Sequence, residues 1–194
     1  MQFLETDLPG VFIVEPVRHG DHRGFFAETW NAERFTAAGL DRPWMQDNHS
    51  RSQTPGTLRG LHFQAPPHAQ TKLVRVIRGS VLDVAVDIRR GSPTFGKHVA
   101  VELSESNFRQ LYVPAGFAHG FVTQVPDTEV LYKVDAGYAP DADMGIAWDD
   151  ADLGIDWGAS PDAVVLSDKD QQHPTLAGLM DALDREGRTL FTAE

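Results

Sequence analysis

The chain has no cysteine. That excludes disulfides, thiolate catalysis, and cysteinyl zinc or iron–sulfur sites together, so any chemistry must use oxygen and nitrogen groups. It is short of basic residues, with 17 Lys and Arg against 28 Asp and Glu and a formal net charge of −11 at pH 7. Such an excess of acids opposes binding to nucleic acid, which needs a basic surface to displace counterions from phosphates. An anionic ligand is left only a local cluster of cations. No stretch approaches the roughly eighteen apolar residues of a membrane helix. The opening residues, MQFLETDLPGVFIVEP, carry early acids and lack the basic segment and apolar core of a secretion signal. No membrane association is expected, and a cytoplasmic location is. Repeats, low-complexity tracts and linkers are missing too, so residues 1–194 read as one domain, long enough to bury most of the surface it exposes unfolded.

What is present reads as short strands joined by turns: KLVRVI (72–77), VLDVAVDI (81–88), HVAVEL (98–103), FRQLYV (108–113), HGFVTQ (119–124) and EVLYKV (129–134). Spacing of about 8–12 residues between them predicts an all-β sandwich or barrel. Arg78-Gly79-Ser80 and Arg90-Gly91-Ser92-Pro93 supply turn chemistry. Two segments read as peripheral helices: NAERFTAAG (31–39), with Asn31 as its N-cap, and PTLAGLMDALDREG near the end. Period-two alternation puts Leu82, Val84, Val86 and Ile88 on one face of their strand and Asp83, Ala85 and Asp87 on the other. The same rule groups Tyr132 with Val130 and Val134, an apolar and inward-looking set.

Two segments stand out as chemistry, LRGLHFQ (58–64) and VPAGFAHGF (113–121). Pro114-x-Gly116-x-x-His119 has the spacing of the second motif of cupin barrels, in which Pro and Gly make a tight turn and His enters the barrel. Metal-binding cupins carry a His-x-His pair and a Glu in the first motif. Here His62 is followed two places on by Gln64, which removes a ligand, so a resident metal is not expected.

Taken together, GDHRGFFAE (20–28), QDNHS (46–50), LRGLHFQ, KLVRVIRGSVLDVAVDIRRGSPTFG (72–96), PAGFAHGFV (114–122), LYK (131–133) and LSDKD (166–170) resemble the dTDP-4-dehydrorhamnose 3,5-epimerase family, in family order. The resemblance implies a cupin-type double-stranded β-helix, or jelly-roll, barrel with a few short helices. It implies a homodimer acting without cofactor on dTDP-4-keto-6-deoxyglucose, a nucleotide sugar.

The residues suit that chemistry. Removing a proton beside a ketone needs a base, a donor for the enolate oxygen and an acid on the opposite face. Histidine, with an ordinary pKa near 6.5, is largely neutral at pH 7, and His62 is the candidate base. By resemblance Asp170 orients its ring, with Asp83 as the competing partner. By resemblance, too, Lys72 counters the enolate charge and Tyr132 returns the proton. A lone His in an apolar segment, or an inward Tyr, is more often structural; the ordered matches carry these assignments.

A nucleotide diphosphate needs cations, and Arg23, Arg59, Lys72, Arg75 and Lys169 lie in or beside the matched segments. The resemblance makes Arg23, Glu28, Gln46, Asp47, Asn48, Arg59, Lys72, His119, Asp143 and Lys169 binding positions, the N-terminal ones serving the neighbouring subunit's site. Two positions depart from the commonest family pattern. Gly137 precedes Tyr138 where paired tyrosines are common, and Asp143 stands where glutamate is frequent. Both bear on how the sugar is gripped, and so on whether C3 and C5 or C3 alone is inverted. The competing readings are a metal-dependent cupin isomerase or dioxygenase using His62 and His119, a 3,4-ketoisomerase, and a non-catalytic sugar-nucleotide binder.

Overall fold

A computed structural model describes residues 1–193. Its strands are β1 (Gln2–Glu5), β2 (Phe12–Glu15), β3 (Arg18–Asp21), β4 (Gly24–Ala27), β5 (Gln46–Ser52), β6 (Leu58–Gln64), β7 (Lys72–Arg78), β8 (Ser80–Asp87), β9 (His98–Ser104), β10 (Gln110–Val113), β11 (Phe117–Thr123), β12 (Thr128–Val134) and β13 (Asp143–Gly145). The α-helices are α1 (Ala32–Ala37) and α2 (Leu176–Arg185). None of the described helices is long and apolar enough to cross a membrane.

Six strands form one antiparallel sheet in the order β1-β2-β10-β7-β12-β5, and five form the other, β13-β6-β11-β8-β9. The hairpin β3-β4 stands apart. This is the expected all-β, cupin-type jelly roll. Each predicted strand of the middle region forms, within one or two residues at most ends.

Three apolar layers explain the arrangement. Between the sheets, Val74, Val76, Val81, Ala85, Val101, Leu111, Phe117, Phe121 and Val130 pack together with the partly buried Tyr132. Outside the five-stranded sheet, Leu82, Val84 and Val86 of β8, with Ile88 just after it, meet Leu176, Leu179 and Leu183 of α2. Those leucines recur at helical spacing, and the Thr175 side chain caps the helix by accepting from the Gly178 N–H. Outside the six-stranded sheet, Phe35 of α1 packs with Val14, Leu73 and Tyr112; Asn31 is the helix N-cap, as expected.

β8 therefore has no solvent face. Its apolar side turns outward, toward the C-terminal layer, and its acidic side turns into the barrel. Asp83 and Asp87 are both fully buried. The Arg89 guanidinium and the Ser92 and Thr94 hydroxyls bond Asp87, which satisfies a charge that burial would otherwise penalise heavily.

Candidate active site

A cavity of about 500 Å³, within the usual size range of small-molecule sites, opens between the sheets. Its walls come from three places: Gln46, Asn48, Lys72 and Tyr132 of the six-stranded sheet, Arg59, His62, His119 and Asp143 of the five-stranded sheet, and Ser167, Lys169 and Asp170 of the segment before α2.

His62 sits on β6 opposite Gly145 of β13 on one side and His119 of β11 on the other. β6 and β11 touch backbone to backbone here. A Cβ on Gly60 would lie 2.5 Å from the Gly120 Cα, and one on Gly120 would lie 2.8 Å from the Arg59 carbonyl oxygen. Only glycine fits at either place, so main-chain contact sets the spacing between the strands that carry the two histidines.

Nε2 of His62 lies 2.5 Å from Oδ1 of Asp170. Asp170 opens a short 3-10 turn, Asp170–Gln172, and is buried while His62 is partly open to the cavity. Burial alone would raise the Asp170 carboxyl, but the His173 and His62 imidazoles and the Ser167 hydroxyl hold it well below the usual carboxylate range. It is a fixed anion behind the ring, and its bond sets the tautomer and orientation of His62. Asp83, the competing partner, bonds His119 instead: its Oδ1 lies 2.9 Å from His119 Nε2, and both side chains are buried. Burial pushes the His119 imidazole down against the pull of Asp83.

Lys72 donates to the His62 carbonyl oxygen at 3.3 Å. Desolvation lowers its ammonium to about 8, against the opposing pull of Asp83 and Asp143. It stays mostly cationic at pH 7, poised at the cavity wall. Tyr132 projects from β12 into the same cavity, and its burial raises the phenol, which therefore stays protonated. His62 and Tyr132 thus approach one space from opposite sheets. At the rim, Lys169 Nζ and the Tyr138 hydroxyl both donate to Asp143 Oδ2, at 2.5 and 3.0 Å.

Of the sequence-predicted residues, the cavity brings together His62, Lys72, Tyr132, Asp170, Gln46, Asn48, Arg59, His119, Asp143 and Lys169. Three others fall outside it. Arg23 pairs with Asp21 in the exposed β3-β4 hairpin. Glu28 pairs with Arg34 at 2.8 Å. Asp47 alternates with Gln46 and Asn48 along β5, so its side chain turns to the outer face and meets Lys133 at 2.8 Å. Arg75 likewise leaves the cation cluster for that outer face, where it lines a smaller hollow beside Asp47 and Trp30. His173 was not singled out from the sequence. Its Nε2 stands 3.6 Å from Asp170 Oδ1, and the only signal was its position three residues after Asp170 in a turn.

The family model for dTDP-4-dehydrorhamnose 3,5-epimerase matches residues 5–178 of the chain. The dTDP-4-dehydrorhamnose 3,5-epimerase of Pseudomonas aeruginosa is 50% identical over 178 residues, which cover 91% of this chain and 97% of that protein. The structure of a dTDP-6-deoxy-D-glucose-3,5-epimerase from Legionella pneumophila, in complex with dTDP-4-keto-L-rhamnose, is 41% identical with a TM-score of 0.91, covering 100% of this chain and 98% of that one. A 3′-monoepimerase from Streptomyces bikiniensis, in complex with dTDP-quinovose, is 38% identical with a TM-score of 0.86, covering 97% of this chain and 92% of that one.

Proposed function

Because the chain belongs to the dTDP-4-dehydrorhamnose 3,5-epimerase family, we propose that its cavity inverts C3 and C5 of dTDP-4-keto-6-deoxyglucose by proton transfer between His62 and Tyr132. The protein is an isomerase of nucleotide-linked deoxysugars, of the kind that leads to dTDP-rhamnose. The observation that carries the proposed roles is the His62–Asp170 pair facing Tyr132 across one cavity, with Lys72 at its wall.

His62 takes the proton from the carbon beside the ketone. The C–H bonding electrons move into the ring, forming the enolate, and the Lys72 ammonium donates to the developing oxyanion. A preorganised donor of that kind is commonly worth about 3–4 kcal/mol. Asp170 stabilises the imidazolium that results. Tyr132 then gives its proton to the other face of the same carbon, the ketone re-forms, and solvent restores both groups. Arg59 and Lys169 serve the diphosphate, and Gln46 and Asn48 offer directional partners to the pyrimidine.

Arg23, Glu28 and Asp47 point away from this cavity, and Phe25 and Phe26 beside them are exposed on the hairpin. Both facts support a homodimer in which the N-terminal residues enter the partner's site.

The test is incubation with dTDP-4-keto-6-deoxyglucose in deuterated water, with deuterium located by NMR. Label at C3 and C5 with both inverted is expected. Label at C3 alone would convert the assignment to a 3-epimerase, and movement of the ketone would make the protein a ketoisomerase.

Three further results are expected. Turnover stays full after exhaustive chelation, because Gln64 stands where the first cupin motif would supply a second His; loss restored by one metal would establish the metal-dependent reading. Arg59→Ala raises KM about tenfold or more with kcat nearly unchanged, since a diphosphate contact is made equally in ground and transition states. A collapse of kcat at saturation would move Arg59 into the chemistry. The third concerns pH. Lys72 is a cation below about pH 8 and loses its charge above it, so kcat/KM, which reports the free enzyme, falls as pH rises through that value. In Lys72→Met the rate is low throughout and this limb is gone; an unchanged limb would assign it to another group.

A further inference from the structure

Behind the cavity the side chains of His62, Asp170 and His173 converge, one donor atom from each lying within 4.8 Å of the other two. His62 Nε2 and His173 Nε2 stand 2.5 and 3.6 Å from the same oxygen, Asp170 Oδ1. The rings meet edge to face, with centroids 5.5 Å apart.

His173 is the unexplained member. Its side chain is 9% exposed, it does not line the cavity, and its Nε2 is buried without a hydrogen-bond partner among the described residues. Buried polar atoms are ordinarily satisfied. The chain also keeps room for this ring. A Cβ on Gly145, the residue paired with His62 across β6 and β13, would come within 2.4 Å of that nitrogen. A buried imidazole without a hydrogen bond, 3.6 Å from a carboxylate that already holds a second imidazole, has a donor ready for a cation.

We infer that His62, Asp170 and His173 form a site for a borderline first-row divalent cation, zinc foremost, and that its occupancy inhibits the enzyme. Two imidazoles and one carboxylate are a zinc donor set, with a fourth position left for water or substrate oxygen. Two of the three residues, His62 and Asp170, line the cavity. Metal–ligand bonds of about 2.0–2.2 Å place tetrahedral donors about 3.3 Å apart, within the span of separations present. Magnesium and calcium, which want more oxygen ligands, are excluded. The inhibition rests on the reading of His62 as the base: a metal on Nε2, the nitrogen that faces Asp170, leaves the ring's proton on Nδ1, the nitrogen that would have to accept the substrate proton.

The experiment uses the whole protein, purified with chelator, and two probes. Co2+ is titrated and followed by the visible absorption of a tetrahedral site, and Zn2+ is titrated and followed by turnover. One ion per chain is expected, Zn2+ displacing Co2+, with turnover lost in step with occupancy and restored by chelator. In His173→Asn and His173→Gln, folding being checked by Tm, the inhibitory Zn2+ concentration, read against each variant's own metal-free rate, rises about tenfold or more. No ion bound to the wild type, or equal affinity in both variants, would overturn the site. Binding of one ion with turnover untouched would overturn the inhibition and remove His62 as the base, so the two readings fail separately.

Discussion

Replacing His62 by alanine is expected to abolish epimerisation and solvent deuterium exchange together. No other group at the cavity combines an ionised partner behind it with an open nitrogen in front: Asp170 fixes His62 from the buried side and leaves the ring partly exposed, whereas His119 is buried and committed to Asp83. A positioned base contributes roughly 10²–10⁴-fold, so the residual rate is expected to be down by about that factor, mostly in kcat. His62→Asn, which keeps a polar side chain beside Asp170, should be equally inactive, separating lost chemistry from any loss of stability caused by leaving a buried carboxylate with one partner fewer. The measurement is the NMR label at C3 and C5 in deuterated water. Near-normal exchange in either variant would place the base elsewhere, with His119 the first suspect.

Tyr132→Phe separates the two halves of the reaction. Deprotonation needs His62, Asp170 and Lys72, none of which the substitution touches, and the ring stays packed against the apolar residues between the sheets. The enolate should therefore still form. What is lost is the hydroxyl on the six-stranded side of the cavity. The intermediate is then reprotonated from the face it came from, by a His62 that has exchanged with solvent. Deuterium enters without inversion, and the ratio of label incorporated to epimer formed is expected to rise by about two orders of magnitude or more, the share a positioned acid supplies, while KM changes little. Epimerisation at the normal rate in Tyr132→Phe would show that the acid is another group, with the rim hydroxyl of Tyr138 next in reach of the cavity.

The central strands were legible because turn chemistry recurs at regular intervals and each strand carries enough β-branched and aromatic residues to declare itself. β1 to β6 and β13 were not. β1 to β4 and β13 are short, and β3 and β4 are exposed nearly throughout, so nothing in their pattern marks a buried face; β5, QDNHSRS, is wholly polar, and β6 is interrupted by Gly60. Alternation placed Tyr132 and Asp83 correctly on their strands but left open which side of β8 is inside. A strand covered on both faces gives no polar side to choose by, and here the acids face inward because His119, Arg89, Ser92 and Thr94 wait there. The proposed catalytic set was legible only through ordered family resemblance. No local pattern ties His62 to Asp170, since the pair closes over 108 residues. Resemblance favoured Asp170 over Asp83, and in the fold each carboxylate meets a different histidine. His173 escaped for the opposite reason: its geometry matters only once Asp170 is known to be buried beside it.

That long closure has a bearing on how the enzyme comes into being. The ribosome delivers β6 early and all the barrel strands before Asp170 emerges, so every strand of both sheets is made while the proposed base still lacks its partner. The anion that locks it arrives on the segment leading into α2, the same stretch that seals the outer face of the five-stranded sheet. Sealing the barrel and arming it are one event. A chain cut short before that segment would lack Asp170 and leave Leu82, Val84 and Val86 uncovered, so abundance measured by an antibody to the barrel strands would overstate working enzyme whenever synthesis or proteolysis stops there.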